Sequence, residues 1–194
     1  MRAVLFGMKH CGKSTLGRAL SHYWECAFYD VDMLIENAFK AEECKSMTVR
    51  EILAHYGESG FTRREERTVV DLYRRIKGTD AENLRMGRTI DDYVIALGGR
   101  TPLNPRLKPI LKKMGLNLFL ELDAKEAWDR VSRSGIPSFL TTSNPQEEFL
   151  DLYREREPHY RGQADVVISL NGLTQRQSLE RIVDTLEEKG YARQ

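Results

Sequence analysis

Residues Gly7-Met8-Lys9-His10-Cys11-Gly12-Lys13-Ser14-Thr15 match G-x-x-x-x-G-K-[ST] at every fixed position. No other feature of the chain limits its fold as tightly. Gly7 and Gly12 permit the tight, partly left-handed path that turns successive backbone amides inward. The apolar run Ala3 to Phe6 leads into the loop and reads as a buried strand. From Lys13 the pattern turns helical, with Leu16, Ala19, Leu20 and Tyr23 at one-face spacing. A helix entered through such a loop points its positive end at an anion. The motif therefore predicts a site for the phosphates of a nucleoside triphosphate, built from Gly7, Lys9, Cys11, Gly12, Lys13, Ser14 and Thr15. Lys13 is the mobile cation for the β- and γ-phosphates and a candidate catalytic residue. The Ser14 hydroxyl is a candidate Mg²⁺ ligand, and Thr15 reaches the α-phosphate. ATP and Mg²⁺ are the expected nucleotide and metal.

The remaining pattern alternates strand with helix. Strands are predicted at Ala27 to Tyr29, Tyr93 to Leu97, Leu118 to Leu122 and Asp165 to Leu170. Helices are predicted at Met33 to Phe39, Thr48 to His55, Thr62 to Ile76, Leu107 to Met114, Ala124 to Ser132, Glu147 to Arg156 and Gln175 to Lys189. Thr48 and Glu51 form a capping box, Gly57 breaks the helix that follows, and Pro158 ends the helix before it. Lys77 to Ile90 reads as an exposed loop, and the charged stretch Arg63 to Arg75 as a solvated helix face. Ser134 to Gln146 has loop composition and is a candidate lid. The fold expected is α/β: a three-layer sandwich with a five-stranded parallel sheet, in one domain spanning residues 1–194.

Basic residues number 30 and acidic residues 29, a net charge of +1. Such a balance offers no broad field for nucleic acid or an anionic membrane, so anion recognition has to be local. No apolar run approaches the ~18 residues that span a bilayer. Cys11, Cys26 and Cys44 are odd in number and lack metal or disulfide spacing, which fits a reducing cytoplasm. A monomer acting on a small molecule is expected. Cys11 also places a thiol inside the loop, a candidate for oxidation that blocks nucleotide.

Ligands of a parallel sheet sit beyond the carboxyl ends of its strands. Asp30 and Asp32 fall there after the second strand, beside the strand that feeds the loop. One carboxylate suits Mg²⁺ through water and the other suits an acceptor hydroxyl whose proton it takes. Gly98-Gly99 ends a strand at the same crevice, where bare backbone meets a ligand closely.

At these residues the chain resembles the shikimate kinase family, over nearly its whole length. The resemblance rests on the loop with Ser14-Thr15-Leu16-Gly17-Arg18-Ala19-Leu20 and on Asp30-Val31-Asp32-Met33-Leu34-Ile35-Glu36. It continues through Thr48-Val49-Arg50-Glu51-Ile52, Gly57-Glu58-Ser59-Gly60-Phe61 with Glu65, Ala96-Leu97-Gly98-Gly99 and Arg156-Glu157-Pro158-His159-Tyr160. It implies transfer of the ATP γ-phosphoryl group to the 3-hydroxyl of shikimate, in aromatic amino acid biosynthesis. By motif position Asp30 helps hold Mg²⁺, and Asp32 binds the acceptor hydroxyls as candidate base. Arg156 pairs with the shikimate carboxylate, Gly98 and Gly99 line the acceptor site, and Arg130 matches an adenine-side arginine. The acceptor subregion covers residues 31–62, roughly.

Three positions depart from the family pattern. Thr62 stands where the family carries an arginine for the shikimate carboxylate, and Arg63 and Arg64 point elsewhere on a helix. Arg100 replaces the third glycine and is the candidate substitute cation. Ile136-Pro137-Ser138-Phe139-Leu140 stands where the lid carries a phosphate-contacting arginine, a role open to Lys9, Arg133 or a partner. Two alternatives follow: a kinase of this family with another hydroxylated acceptor, or a nucleotide-binding protein with little kinase activity.

Overall fold

A computed structural model of the chain describes residues 1–133, 135–136, 140 and 142–191. At its centre lies a parallel sheet of β1 (Arg2–Phe6), β2 (Ala27–Asp30), β3 (Tyr93–Ala96), β4 (Leu116–Glu121) and β5 (Val166–Ser169). The spatial order is β2-β3-β1-β4-β5. β3 therefore separates β2 from β1, and Asp30 and Asp32 do not flank the loop-bearing strand directly as the sequence reading had them. Register still brings them to the same edge, since Ala96 of β3 pairs with both Leu5 and Asp30.

The central strands are apolar throughout because both faces are covered. Side chains alternate across a strand. Leu5 faces Gly17 of α1 (Lys13–Tyr23), whereas the next residue, Phe6, packs against Phe119 and against Tyr160 of α6 (Pro145–Arg161). Helices thus lie on both sides, and the expected three layers form. Burying each of these large apolar side chains is worth about 1.5–3 kcal/mol. On α1 the buried stripe is Leu16, Gly17, Leu20 and Ser21, continued by Trp24, while Tyr23 is 56% exposed and lies off the face predicted for it.

The remaining helices are α2 (Val31–Glu43), α3 (Val49–Arg85), α4 (Lys108–Met114), α5 (Ala124–Arg133) and α7 (Gln175–Glu188). α3 starts at the Thr48–Glu51 capping box, kinks at Gly57, and runs on to Arg85. Lys77 to Ile90 is thus mostly helix and not a loop. The segment carries no proline, and Asp80 anchors its far turn by a bidentate ion pair with Arg2 of β1. α6 likewise begins at Pro145, two residues early, capped by Asn144. It passes through Pro158 to Arg161 because Tyr160 is drawn into the core beyond the break. Of the proposed lid, residues 134, 137–139 and 141 lie outside the described residues; Ile136 is exposed and Leu140 buried.

At Gly57 the backbone holds φ 67° and ψ 179°, a region open essentially to glycine, with no neighbour within 4 Å of a would-be Cβ. Gly57→Ala therefore meets strain without any clash. We expect it to lower unfolding stability by about 1–3 kcal/mol in denaturant titration; a neutral effect would show that the kink is not enforced.

Candidate active site

The loop between β1 and α1 is shaped by three residues with positive φ: Gly7 at 148°, His10 at 63° and Gly12 at 98°. Gly7 is obligatory on a second count, because a Cβ there would lie 2.5 Å from the carbonyl oxygen of Leu120 in β4. Helical bonding in α1 begins when Leu16 N donates to Gly12 O at 2.8 Å. The amides of Lys13, Ser14 and Thr15 precede it and have no intrahelical acceptor. Lys13 Nζ folds back to donate to Gly7 O (3.1 Å) and Met8 O (2.9 Å). Ser14 and Thr15 are exposed.

Cys11 is 0% exposed and its amide donates to Met8 O at 3.2 Å. Its thiol packs beneath the loop against Gly7. Solvent does not reach it, so the oxidation switch suggested by its position finds no support. Lys9 and His10 are both held below their usual pKa, chiefly by burial. The next cause at Lys9 is the charge of Arg50, and at His10 it is Lys9, then Lys13 and Arg50. A cationic cluster therefore surrounds a set of unpaired amides. That donor set fits a polyphosphate.

Facing it are carboxylates. Asp30 caps α2, its Oδ1 accepting from Asp32 N (3.1 Å) and Met33 N (3.4 Å), which leaves Oδ2 outside the cap. Asp32, one residue inside α2, has its pKa raised by burial and by Asp30, while Lys13 and Lys9 oppose the rise. A Cβ on Gly98 would meet Asp32 Oδ1 at 2.9 Å, Thr101 Oγ1 at 3.1 Å and Glu65 Oε1 at 3.2 Å. A side chain there would crowd the ends of three residues from separate elements, which converge on it. Thr101 Oγ1 donates to Glu65 Oε1 at 2.6 Å. Glu65 is 3% exposed, and burial pushes its carboxyl up to about 7 against that hydrogen bond.

Arg100 extends from the Gly98-Gly99 turn to donate to Glu58 at 2.6 Å. Arg156, half-buried on α6, acts on Glu58 and on the hydroxyl of Tyr160, which itself donates to Gly99 O. Arg130 is held by Glu126 (2.6 Å) within α5, which follows β4 on the side of β1 away from Asp32. Arg133 donates to its own helix at Asp129 O (2.9 Å). Among the described residues no cluster of three His, Cys, Asp or Glu forms a metal site, and no helix is long and apolar enough to cross a membrane. A separate groove of about 380 Å³ runs between α2 and α3 and shares no residue with the loop.

The model of the family described as shikimate kinase matches residues 9–187. The chain belongs to the shikimate kinase family. The shikimate kinase of Thiobacillus denitrificans is 30% identical over 185 residues, covering 95% of this chain and 87% of the relative. That of Aromatoleum aromaticum is 33% identical over 168 residues, with 87% and 84% covered. Among solved structures, shikimate kinase from Acinetobacter baumannii in complex with shikimate gives a TM-score of 0.76 at 23% identity, over 99% of this chain and 96% of that one. Shikimate kinase from Aquifex aeolicus gives 0.71 at 24% identity, with both chains covered completely (100% and 100%). At those identities the structures support the fold.

As a shikimate kinase family member, the chain has its departures in defined places. Thr62 is half-buried, and neither following arginine substitutes for it: Arg63 is exposed, and Arg64 turns to Glu42 and Glu43 across the rings of Phe39 and Tyr56. Arg100 does reach the crevice, but as a partner of Glu58. Two residues escaped the sequence reading of roles. Glu65 lies in the stretch taken as solvated, yet it shares the buried stripe of Val69, Leu72 and Ile76 at helical spacing. An acid on an apolar stripe was the available signal. Arg50 sits in the first turn of α3, where the helix dipole disfavours a cation, and makes no ion pair among the described residues.

Two outcomes follow. Because only the folded chain raises Glu65, it keeps a proton that the unfolded chain gives up between the usual 4.5 and about 7. The group favours folding most below that window and loses its contribution as pH rises through it. Glu65→Gln, which still offers Thr101 an acceptor, should gain up to about 3 kcal/mol on the wild type between pH 5 and pH 8 in denaturant unfolding. A pH-independent difference would reject ionisation of Glu65 as the cause. Separately, Arg50→Ala should raise the pKa of His10 in an NMR titration, and an unmoved value would place Arg50 away from the loop.

Proposed function

We propose that this chain transfers the γ-phosphoryl group of ATP to the 3-hydroxyl of shikimate, a carboxylated cyclohexene with three hydroxyls. One observation carries the reading: Asp32 and the bare backbone of Gly98 meet at a strand edge shared with the amide-lined loop and its cations. Family membership supports the same acceptor. Gly7, Lys9, Gly12, Lys13, Ser14 and Thr15 form the ATP phosphate site, with Cys11 packed beneath the loop and Arg130 toward the adenine side. The Ser14 hydroxyl and, through water, Asp30 would hold Mg²⁺, which supplies charge neutralisation at the β- and γ-phosphate oxygens.

Asp32 accepts the acceptor hydroxyl and takes its proton as that oxygen bonds to the γ-phosphorus. The bond from this phosphorus to the β,γ-bridging oxygen breaks, and ADP leaves. Burial favours this role, because a base works best with its pKa drawn toward the operating pH. The nearby Lys13 and Lys9 oppose that rise and favour its ionised form. Arg100 and Arg156 receive the shikimate carboxylate, with Gly98 and Gly99 presenting backbone to the ring. The three cysteines, at separate places in the fold and none in a disulfide, fit a reducing cytoplasm.

A coupled assay of ADP release with shikimate tests the reading. Turnover is expected at millimolar shikimate, and its absence rejects shikimate as acceptor. Asp32→Asn should lower kcat by about 10²–10⁴ while calorimetric ATP binding persists. Retained kcat would remove Asp32 from the chemistry.

A further inference from the structure

Glu58 directly follows the Gly57 kink in α3. Its carboxylate, 71% exposed, accepts from Arg100 Nη1 at 2.6 Å, and the Arg100 side chain is 45% exposed. The first cause of its lowered pKa is Arg100, and Arg156 adds to the effect from α6. The same two arginines act on the hydroxyl of Tyr160, which is fixed to Gly99 O. Arg100, Arg156 and Tyr160 therefore surround one spot beside the Gly98-Gly99 turn, and the carboxylate drawn to that spot belongs to the protein.

We propose that Glu58 is an internal stand-in for the acceptor's carboxylate, holding Arg100 until an acidic acceptor displaces it. The inference rests on the proposed reading that Arg100 and Arg156 receive that carboxylate. Its consequence is specificity: a neutral polyol cannot displace Glu58, whereas a carboxylic acid exchanges one ion pair for another and keeps its hydroxyl contacts in addition. The exchange is easy on the protein's side. The pair is solvent-exposed and so weak, and the Glu58 side chain stands largely in solvent, beside open space at Gly57. A positioning role, with Glu58 merely aiming Arg100, predicts the opposite effect of its removal.

Glu58→Gln keeps the shape of the side chain and removes its charge. Binding of shikimate to the wild type, Glu58→Gln, Arg100→Ala and the double variant is measured by calorimetry, with KM from the coupled assay. A shikimate analogue whose carboxylate is reduced to hydroxymethyl serves as the control. Glu58→Gln should lower Kd and KM for shikimate about two- to fivefold, the range an exposed ion pair supplies. It should leave the affinity for the hydroxymethyl analogue unchanged, and its advantage should vanish on the Arg100→Ala background. Thermal melting checks that each variant is folded. Unchanged or weakened shikimate binding in Glu58→Gln, with a wild type that binds and turns over shikimate, overturns the stand-in and leaves the kinase reading intact. A wild type that neither binds nor phosphorylates shikimate overturns both.

Discussion

The carbonyl of Leu120 comes so close to the Cα of Gly7 that no side chain fits between them. That approach couples the phosphate loop to the β1–β4 pairing, in which Leu5 lies opposite Leu118 and Phe6 opposite Phe119. With the loop's entry fixed by the sheet, the left-handed turns at His10 and Gly12 set its curvature and bring the first-turn amides of α1 to a common focus. Cys11 fills the space under the turn with its side chain. The focus of these amides is thus a product of core packing. The charged residues around it add attraction to a geometry already made.

Those charges also interlock. Lys9 and His10 are partly buried among other cations, which lowers their affinity for protons. Asp32 is buried beside Asp30, which raises its own. Each group is uncomfortable among its neighbours of like sign, and the cross-attraction of Asp32 to Lys13 and Lys9 offsets part of both costs. Glu65 lies deeper, with the Thr101 hydroxyl as its hydrogen-bond partner among the described residues, and burial pushes its ionisation close to neutrality. Two carboxyl groups meeting at Gly98 therefore differ in readiness to hold charge, because only one of them faces the loop cations.

Much of this was legible in the sequence because it rests on local rules. The loop motif, the Thr48–Glu51 capping box and the glycine break at residue 57 are short-range signals, and each has the geometry expected. The alternation of apolar runs gave the five strands and their parallel sense. Long-range pairing was not legible. Nothing near Lys77 announces that Asp80 will find Arg2, and so the end of α3 read as a loop. The placement of β3 between β2 and β1 is a topological fact to which spacing is blind. Pro158 breaks one backbone bond, but the core contact of Tyr160 two residues on outweighs it. The meeting of Asp32 with Gly98 could be anticipated from motif position. The partners of Arg100 and Arg64 could not, since each is selected by acids 20 or more residues away.

The departures from the family pattern connect through one carboxyl group. An arginine at position 62 would stand one turn of α3 before Glu65, within reach of the same crevice. Thr62 supplies no charge there, and Glu65 is left to the hydroxyl of Thr101 and the more distant field of Arg100. Burial is what raises the Glu65 carboxyl, and a threonine at position 62 brings no charge to oppose it. Arg100 restores positive charge from the opposite wall, on the turn that ends β3. A cation on that turn is fixed by the sheet, whereas one on α3 depends on the kink at Gly57. Moving the charge from helix to sheet edge keeps it in the crevice, and brings it within range of Glu58, which a cation at position 62 need not have met.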